Sequence, residues 1–259
     1  MKVAVLTLTR DRLEYTQHCF GTLRKNAGCP FDWYVLDQAS TDGTPEWLSG
    51  QDDIHSICLE QNIGISRGMN RLLDEAVSLA DYDAIVKFDN DCELVQPDTI
   101  RDVVAATLVA GDLLSPRILG LKRPPMVTGT FMVGLETILD IPQIGGIFLA
   151  APASFYETFR FREDNPRWGL DDVQVCAEAR RRGFRCGYFE RLEAWHYETT
   201  DGQQARYPAY FDRQFREMAR DRGGLRRLRR CARVLDTHLG AKDLLHRMVS
   251  LFASLGGVN

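Results

Sequence analysis

Residues 82–95, from Tyr82 to Val95, read YDAIVKFDNDCELV. An apolar run from Ala84 to Phe88, interrupted only by Lys87, ends abruptly in Asp89, Asn90 and Asp91. The run suits a buried strand, whereas Asp and Asn are disfavoured in strands and common in turns. The strand is therefore expected to stop at Phe88. Two carboxylates one residue apart then repel each other at the mouth of the core. A hard divalent cation, Mg²⁺ or Mn²⁺, prefers carboxylate oxygens, is commonly shared with substrate phosphates, and would relieve that repulsion. An acidic turn with no ligand is the competing reading of the same triplet.

Upstream, the chain alternates. KVAVLTL (2–8) is a β-branched run suited to a strand buried on both faces. RLEYTQHCFGTLRKN (12–26) reads as a helix closed by Gly28 and Pro30, and WYVLDQ (33–38) as a second strand. In STDGTPEWL (40–48), Thr44 is the expected N-cap, with Pro45 at the first helical position. IHSICLE (54–60) is a third strand. In SRGMNRLLDEAVSLA (66–80), Met69, Leu72, Leu73, Ala76 and Val77 fall on one helical face. This βαβαβαβ order predicts right-handed crossovers and a mostly parallel sheet, an α/β fold. Ligands of such sheets bind beyond the carboxyl ends of the strands, so Asp37 and the Asp89/Asp91 pair are expected on one rim.

Composition is that of an ordinary soluble globular protein. The chain has 259 residues, 44% hydrophobic and 26% charged, with a formal charge of −4. That charge argues against a general nucleic-acid binder. Seven scattered cysteines contain no CxxC pair, so neither a zinc ribbon nor a dithiol redox site is suggested. Dispersed thiols fit a reducing compartment, and the apolar run at the N-terminus is too short for a signal peptide. No run reaches transmembrane length. The expected location is the cytoplasm, with an edge facing the membrane.

VAVLTLTRDR, VLDQASTDGTPEWL, EQNIGISRGMN and IVKFDNDCEL, in this order, resemble the family 2 glycosyltransferases. WGLDDVQVCAEARRRGFRCGYFERLEAWHYE likewise resembles their W-x-x-ED helix and the histidine that follows it. The resemblance covers roughly residues 3–198. It implies a GT-A fold, a Rossmann-like nucleotide-diphospho-sugar transferase fold, and transfer of a sugar from a nucleotide-sugar to an acceptor hydroxyl. It also implies roles. Thr9 would lie beside the base, and Asp37 would read a uracil edge, which favours a UDP-sugar. Arg67 would face the donor diphosphate. Asp89, with Asn90 beside it, would lie near ribose and metal; Asp91 and His196 would complete the Mn²⁺ or Mg²⁺ site. Asp172, the second acid of the ED pair, would be the base of an inverting reaction. The chain departs from the family pattern at Leu8, Arg10, Asp11 and Asp171, and Met69 replaces the usual arginine, which leaves Arg67 a less direct match.

Inverting transfer independently requires one carboxylate outside the metal pair to accept the hydroxyl proton while a metal neutralises the departing diphosphate. Asp171 and Asp172 open a helix that ends in Arg180–Arg182 and Gly183, so simple helix capping is the competing reading. His196 has a structural alternative as well. MVTGTFMVGL (126–135) and GGIFLAAP (145–152) read as strands; Gly145 and Gly146 would let backbone approach the donor sugar or form only a turn. Trp168 would stack on a sugar or pack internally.

The expected organisation is a GT-A domain over residues 1–221, divided into a nucleotide-binding half (1–95) and an acceptor half (96–221), followed by a basic amphipathic helical tail (222–259). Arg222, Arg226, Arg227, Arg229, Arg230 and Arg233 precede an apolar helical pattern from Leu244 to Phe252. Such a tail suits an anionic membrane surface and a lipid-linked or carbohydrate acceptor, or else a homo-oligomer contact. Two other functions fit the composition. A sugar-phosphate nucleotidyltransferase would carry a glycine-rich loop after the first strand, and TLTRDRLEYT has none. A catalytically silent nucleotide-sugar-binding protein is the other.

Overall fold

The computed structural model describes residues 1–121, 125–164, 171–197 and 209. Its strands are β1 (Val3–Thr9), β2 (Asp32–Asp37), β3 (Ile54–Cys58), β4 (Ala84–Phe88), β5 (Cys92–Leu94), β6 (Leu113–Leu119), β7 (Gly129–Val133), β8 (Glu136–Asp140), β9 (Phe148–Pro152) and β10 (Cys186–His196). Its helices are α1 (Leu13–Asn26), α2 (Thr44–Ser49), α3 (Ile65–Leu79), α4 (Thr99–Ala110), α5 (Ala153–Glu157) and α6 (Asp171–Arg181). The ten strands form one sheet in the order β3-β2-β1-β4-β9-β6-β10-β8-β7, and β5 pairs with β10 off that path.

The first half follows the sequence pattern. β3, β2, β1 and β4 are parallel neighbours joined through helices, and β4 does stop at Phe88. The second half departs from it. β9 runs antiparallel between β4 and β6, β8 runs antiparallel to β10, and β7 runs antiparallel to β8. The sheet is therefore mixed rather than mostly parallel. Chain length explains the hairpin: only Gly134 and Leu135 separate β7 from β8, whereas a parallel return needs a dozen or more residues.

Ala84, Ile85, Val86 and Phe88 of β4 are buried, as are Val3–Leu6 and Trp33–Leu36 beside them. α3 covers this sheet with Met69, Leu72, Leu73 and Ala76, each large apolar side chain contributing about 1.5–3 kcal/mol on burial. Val77, expected with them, is 52% exposed, because it lies roughly 80° round the helix from Met69. α2 starts at Thr44 with Gly43 in the cap position; the Thr44 amide and hydroxyl both donate to Asp42 Oδ1 instead of Thr44 capping the helix. Cys19, Cys29, Cys58, Cys92, Cys176 and Cys186 are free thiols. Among the described residues no helix is long and apolar enough to cross a membrane. Trp168 and the tail 222–259 lie outside the described residues.

Candidate active site

Parallel pairing places the ends of β1, β2 and β4 on one rim, with Thr9 in register with Asp37. Asp37 is fully buried, and its carboxylate accepts the Ser40 amide at 2.9 Å and the Ser40 hydroxyl. Burial raises its pKa and the two Ser40 bonds oppose the rise. Thr9 is buried: its carbonyl accepts the Gln38 amide, and its hydroxyl accepts from Asn90 at 3.1 Å. The Asn90 amide also donates to the Thr16 hydroxyl at 2.8 Å, and its oxygen accepts from Arg12 at 3.1 Å. Asn90 and the Thr9 side chain thus lock the end of β4 to β1 and α1. Arg67, on the first turn of α3, is exposed and stands 3.8 Å from Glu163. Among the described residues, its ion pair is with Glu163 and not with a carboxylate of the rim.

Arg12 was not expected here. It precedes α1 in a left-handed backbone conformation, φ 61°, with Asp11 at φ 52° before it. Two such residues in succession are strained for non-glycine side chains. Tertiary bonds hold the turn: the Asp11 amide donates to Ser40 Oγ at 2.6 Å, and Asp11 Oδ1 accepts the Thr41 amide at 2.7 Å. The turn aims Arg12 Nη1 at Asp91 Oδ2, 2.7 Å away, in a buried pair. Burial alone would raise the Asp91 pKa; Arg12, then His196, outweigh it and hold the carboxyl well below the usual range.

His196 arrives through register. It closes β10, where it pairs across β5 with Cys92, and the Tyr197 amide donates to the Asp91 carbonyl at 3.0 Å. His196 Nε2 then lies 3.6 Å from Asp91 Oδ1. Gly120, at φ 80°, makes room for this, since a Cβ there would stand 2.4 Å from the His196 carbonyl oxygen.

Lys87 is the second residue that composition did not single out. It is a buried lysine in the centre of the sheet, with Leu6 and Leu149 as its register neighbours. Its ammonium donates to Asp89 Oδ1 at 2.6 Å and to the Gly146 carbonyl, and stands 3.8 Å from Asp171 Oδ2. Burial disfavours its charge, but Asp89, Asp171 and Asp172 together raise its pKa. Asp89 is pushed up to about 6, chiefly by burial, with Lys87 opposing.

Asp171 and Asp172 form the first turn of α6. Asp172 Oδ1 accepts the Val173 amide at 2.7 Å, and Oδ2 accepts from Gln143 Nε2 at 2.8 Å. Its pKa is raised to about 6 by burial and by Asp171, against Gln143, the Val173 amide and Lys87. A carboxylate near 6 is ionised at neutral pH yet basic enough to take a proton. Gly146, expected either against a donor sugar or in a turn, is pressed between these groups: a Cβ there would stand 3.0 Å from Asp171 Oδ2 and 3.3 Å from Lys87 Nζ.

The expected metal trio is brought together only in part. Among the described residues no group of three His, Cys, Asp or Glu is gathered as a cation site. Asp91 and His196 are adjacent, with Asp91 Oδ1 facing the imidazole and Oδ2 held by Arg12, whereas Asp89 Oδ1 is engaged by Lys87. An Asp oxygen beside an imidazole nitrogen is a donor pair that suits Mn²⁺. Lys87 carried a signal in the sequence, a cation inside an apolar run just before two acids; Arg12 carried none, because its acid lies 79 positions along the chain.

Residues 4–111 match the model of Glycosyl transferase family 2. No curated protein matches the chain by sequence at a significant level. Among solved structures, S. aureus TarS superposes with a TM-score of 0.61 at 17% identity, over 85% of this chain and 39% of that one. GalNAc-T7, solved with UDP, GalNAc and Mn²⁺, gives 0.59 at 11% identity, over 76% of this chain and 44% of that one. The mannosyltransferase PcManGT from Pyrobaculum calidifontis, solved with GDP-Man and Mn²⁺, gives 0.57 at 18% identity, over 85% of this chain and 62% of that one. The chain thus spans less than two thirds of each. Residues 4–111 are thus similar in sequence to the family 2 glycosyl transferases, and the described residues share the GT-A fold of these solved structures.

Proposed function

We propose that the chain transfers a sugar from a nucleotide-sugar, a UDP-sugar by preference, to an acceptor hydroxyl with inversion. The observation that carries this reading is Asp172. It is a carboxylate with a pKa near 6, oriented by Gln143 and the Val173 amide, on the helix turn whose other acid, Asp171, stands 3.8 Å from Lys87. Asp172 takes the proton of the attacking hydroxyl, while Asp37 and the end of β1 border the base. S. aureus TarS has been solved with UDP-GlcNAc and PcManGT with GDP-Man, so both uridine and guanosine donors belong in any test.

Asp91 and His196, with Asp89 beside them, are the residues that would hold Mn²⁺ or Mg²⁺. When bound, such a cation neutralises charge on the departing diphosphate. Arg12 keeps Asp91 ionised and in place, and Asn90 fixes the turn on which both acids stand. The acceptor is a carbohydrate or a lipid-linked saccharide, the latter if the basic tail from Arg222 onward meets an anionic membrane.

The test is a panel of UDP-, GDP- and dTDP-sugars with a thermal-shift readout and nucleotide-release kinetics. UDP is expected to raise Tm in Mn²⁺ far more than in chelator, and Asp91→Ala to remove that difference. Equal UDP binding in chelator would overturn the metal assignment. Absence of nucleotide release from every donor would leave a silent nucleotide-sugar-binding protein.

A further inference from the structure

A lysine in the middle of a buried strand is unfavourable unless carboxylates and hydrogen bonds compensate it. Lys87 has both, and its partners come from three separate parts of the chain. Asp89 follows β4, Gly146 precedes β9, and Asp171 opens α6. Asp89 belongs to the donor rim, and the first turn of α6 also carries Asp172. One ammonium therefore touches both sides of the site. The three acids around it carry more negative charge than it can balance, and without it Asp89 and Asp171 would lose the cation they share. The close fit at Gly146 leaves no slack: a single methyl there would press on Lys87 Nζ and Asp171 Oδ2 together.

We propose that Lys87 is a positioning residue whose ammonium fastens the donor-rim acid Asp89 to the first turn of α6, fixing the base Asp172 relative to the bound donor. The tie has two consequences. Asp89 Oδ1 is taken up by the ammonium, and α6 cannot rotate its first turn away from β4 without breaking the Lys87 contacts. Lys87 does not itself touch the reacting atoms. Its effect is on where Asp172 sits, so it is felt in turnover rather than in donor affinity, because small displacements of a catalytic group lower the rate steeply. The catalytic part of this inference rests on the glycosyl-transfer reading; the tie itself does not.

The experiment uses the full chain and four proteins: wild type, Lys87→Met, Asp171→Asn and the double variant. Lys87→Met keeps the length of the side chain and removes its charge. It is expected to lower Tm by several degrees, and Asp171→Asn in the same chain to restore part of the loss, since contacting residues are non-additive. The double variant also supplies a folded protein if Lys87→Met alone is too unstable. With the donor that turns over in the panel, the double variant is expected to keep its UDP Kd within about threefold and to lose tenfold or more in kcat. Gly146→Ala is expected to give the same split through its pressure on the tie. Additive Tm changes, or a kcat at the wild-type level in the double variant, would overturn the proposal. If wild type releases no nucleotide from any donor, the functional reading fails, and the Tm cycle alone upholds or overturns the tie.

Discussion

At the scale of one residue, the proposed role of Asp172 carries a pH dependence that can be measured. Its folded pKa, about 6, lies above the ordinary carboxylate value of 3.8. Burial raises it most, then Asp171 on its own helix; Gln143 from the segment before β9, the Val173 amide and Lys87 from β4 oppose the rise. For a carboxyl raised in the folded state, the favourable contribution of the protonated form is complete below about 3.8 and is lost as pH rises through about 6. Asp172→Asn is therefore expected to raise Tm by a few degrees at pH 7.5 and to leave it unchanged near pH 3.5. The same variant is expected to lose roughly two orders of magnitude in transfer, the usual scale of a general base. Wild-type kcat should fall with acid below about pH 6, and the profile of released nucleotide against pH checks this. Near-normal turnover in a folded Asp172→Asn protein would remove Asp172 from its role.

Between elements, buried side chains tie loops to helices where the backbone has no regular partner. Asn70 on α3 donates to the Phe161 carbonyl at 2.9 Å and accepts the Phe161 amide at 2.8 Å. Both contacts are buried, and they bind the segment before α6 to the helix that covers β1 and β2. Replacing Asn70 by Leu removes both bonds and leaves two buried backbone groups without them. Each such group costs about 1–3 kcal/mol, so chemical denaturation should report a loss of at least 1 kcal/mol. Asp32, Tyr82 and Tyr34 form a comparable link between β2 and the start of β4, with the Tyr82 hydroxyl 2.7 Å from both partners. The turn at Asp11–Arg12 works in the same way, since its left-handed backbone is held by Ser40, Thr41 and Asp91 rather than by helix capping.

For the whole molecule, the site is an outcome of sheet order. β10 returns parallel to β6 and carries His196 some hundred positions along the chain to the start of β5, beside Asp91. Gly120, at the end of β6, is where this return is tightest. Gly120→Ala combines an unfavourable positive φ with a contact shorter than real Cβ atoms tolerate. It is expected to lower Tm and to weaken the Mn²⁺-dependent gain from UDP, although Gly120 lies outside the acid cluster itself. A thermal shift with UDP, with and without Mn²⁺, measures both effects. An unchanged metal-dependent gain would mean that His196 is not part of the cation site.

The sequence by itself determined the first half of the fold. Hydrophobic runs of strand length, helical spacing in 66–80 and an abrupt stop at Asp89 are local signals, and β1 to β4 follow them. It also placed Asp37, Asp89 and Asp91 on one rim, because parallel strands put their carboxyl ends together. Tertiary structure alone decided the rest. The antiparallel insertion of β9 and the pairing of β10 with both β5 and β6 depend on contacts far apart in sequence, which no local period encodes. The same is true of Arg12 on Asp91 and Lys87 between Asp89 and Asp171. A charged residue in a sequence shows its charge but not its counter-ion. Only the folded chain, by burying both and excluding water, turns that charge into a fixed partner.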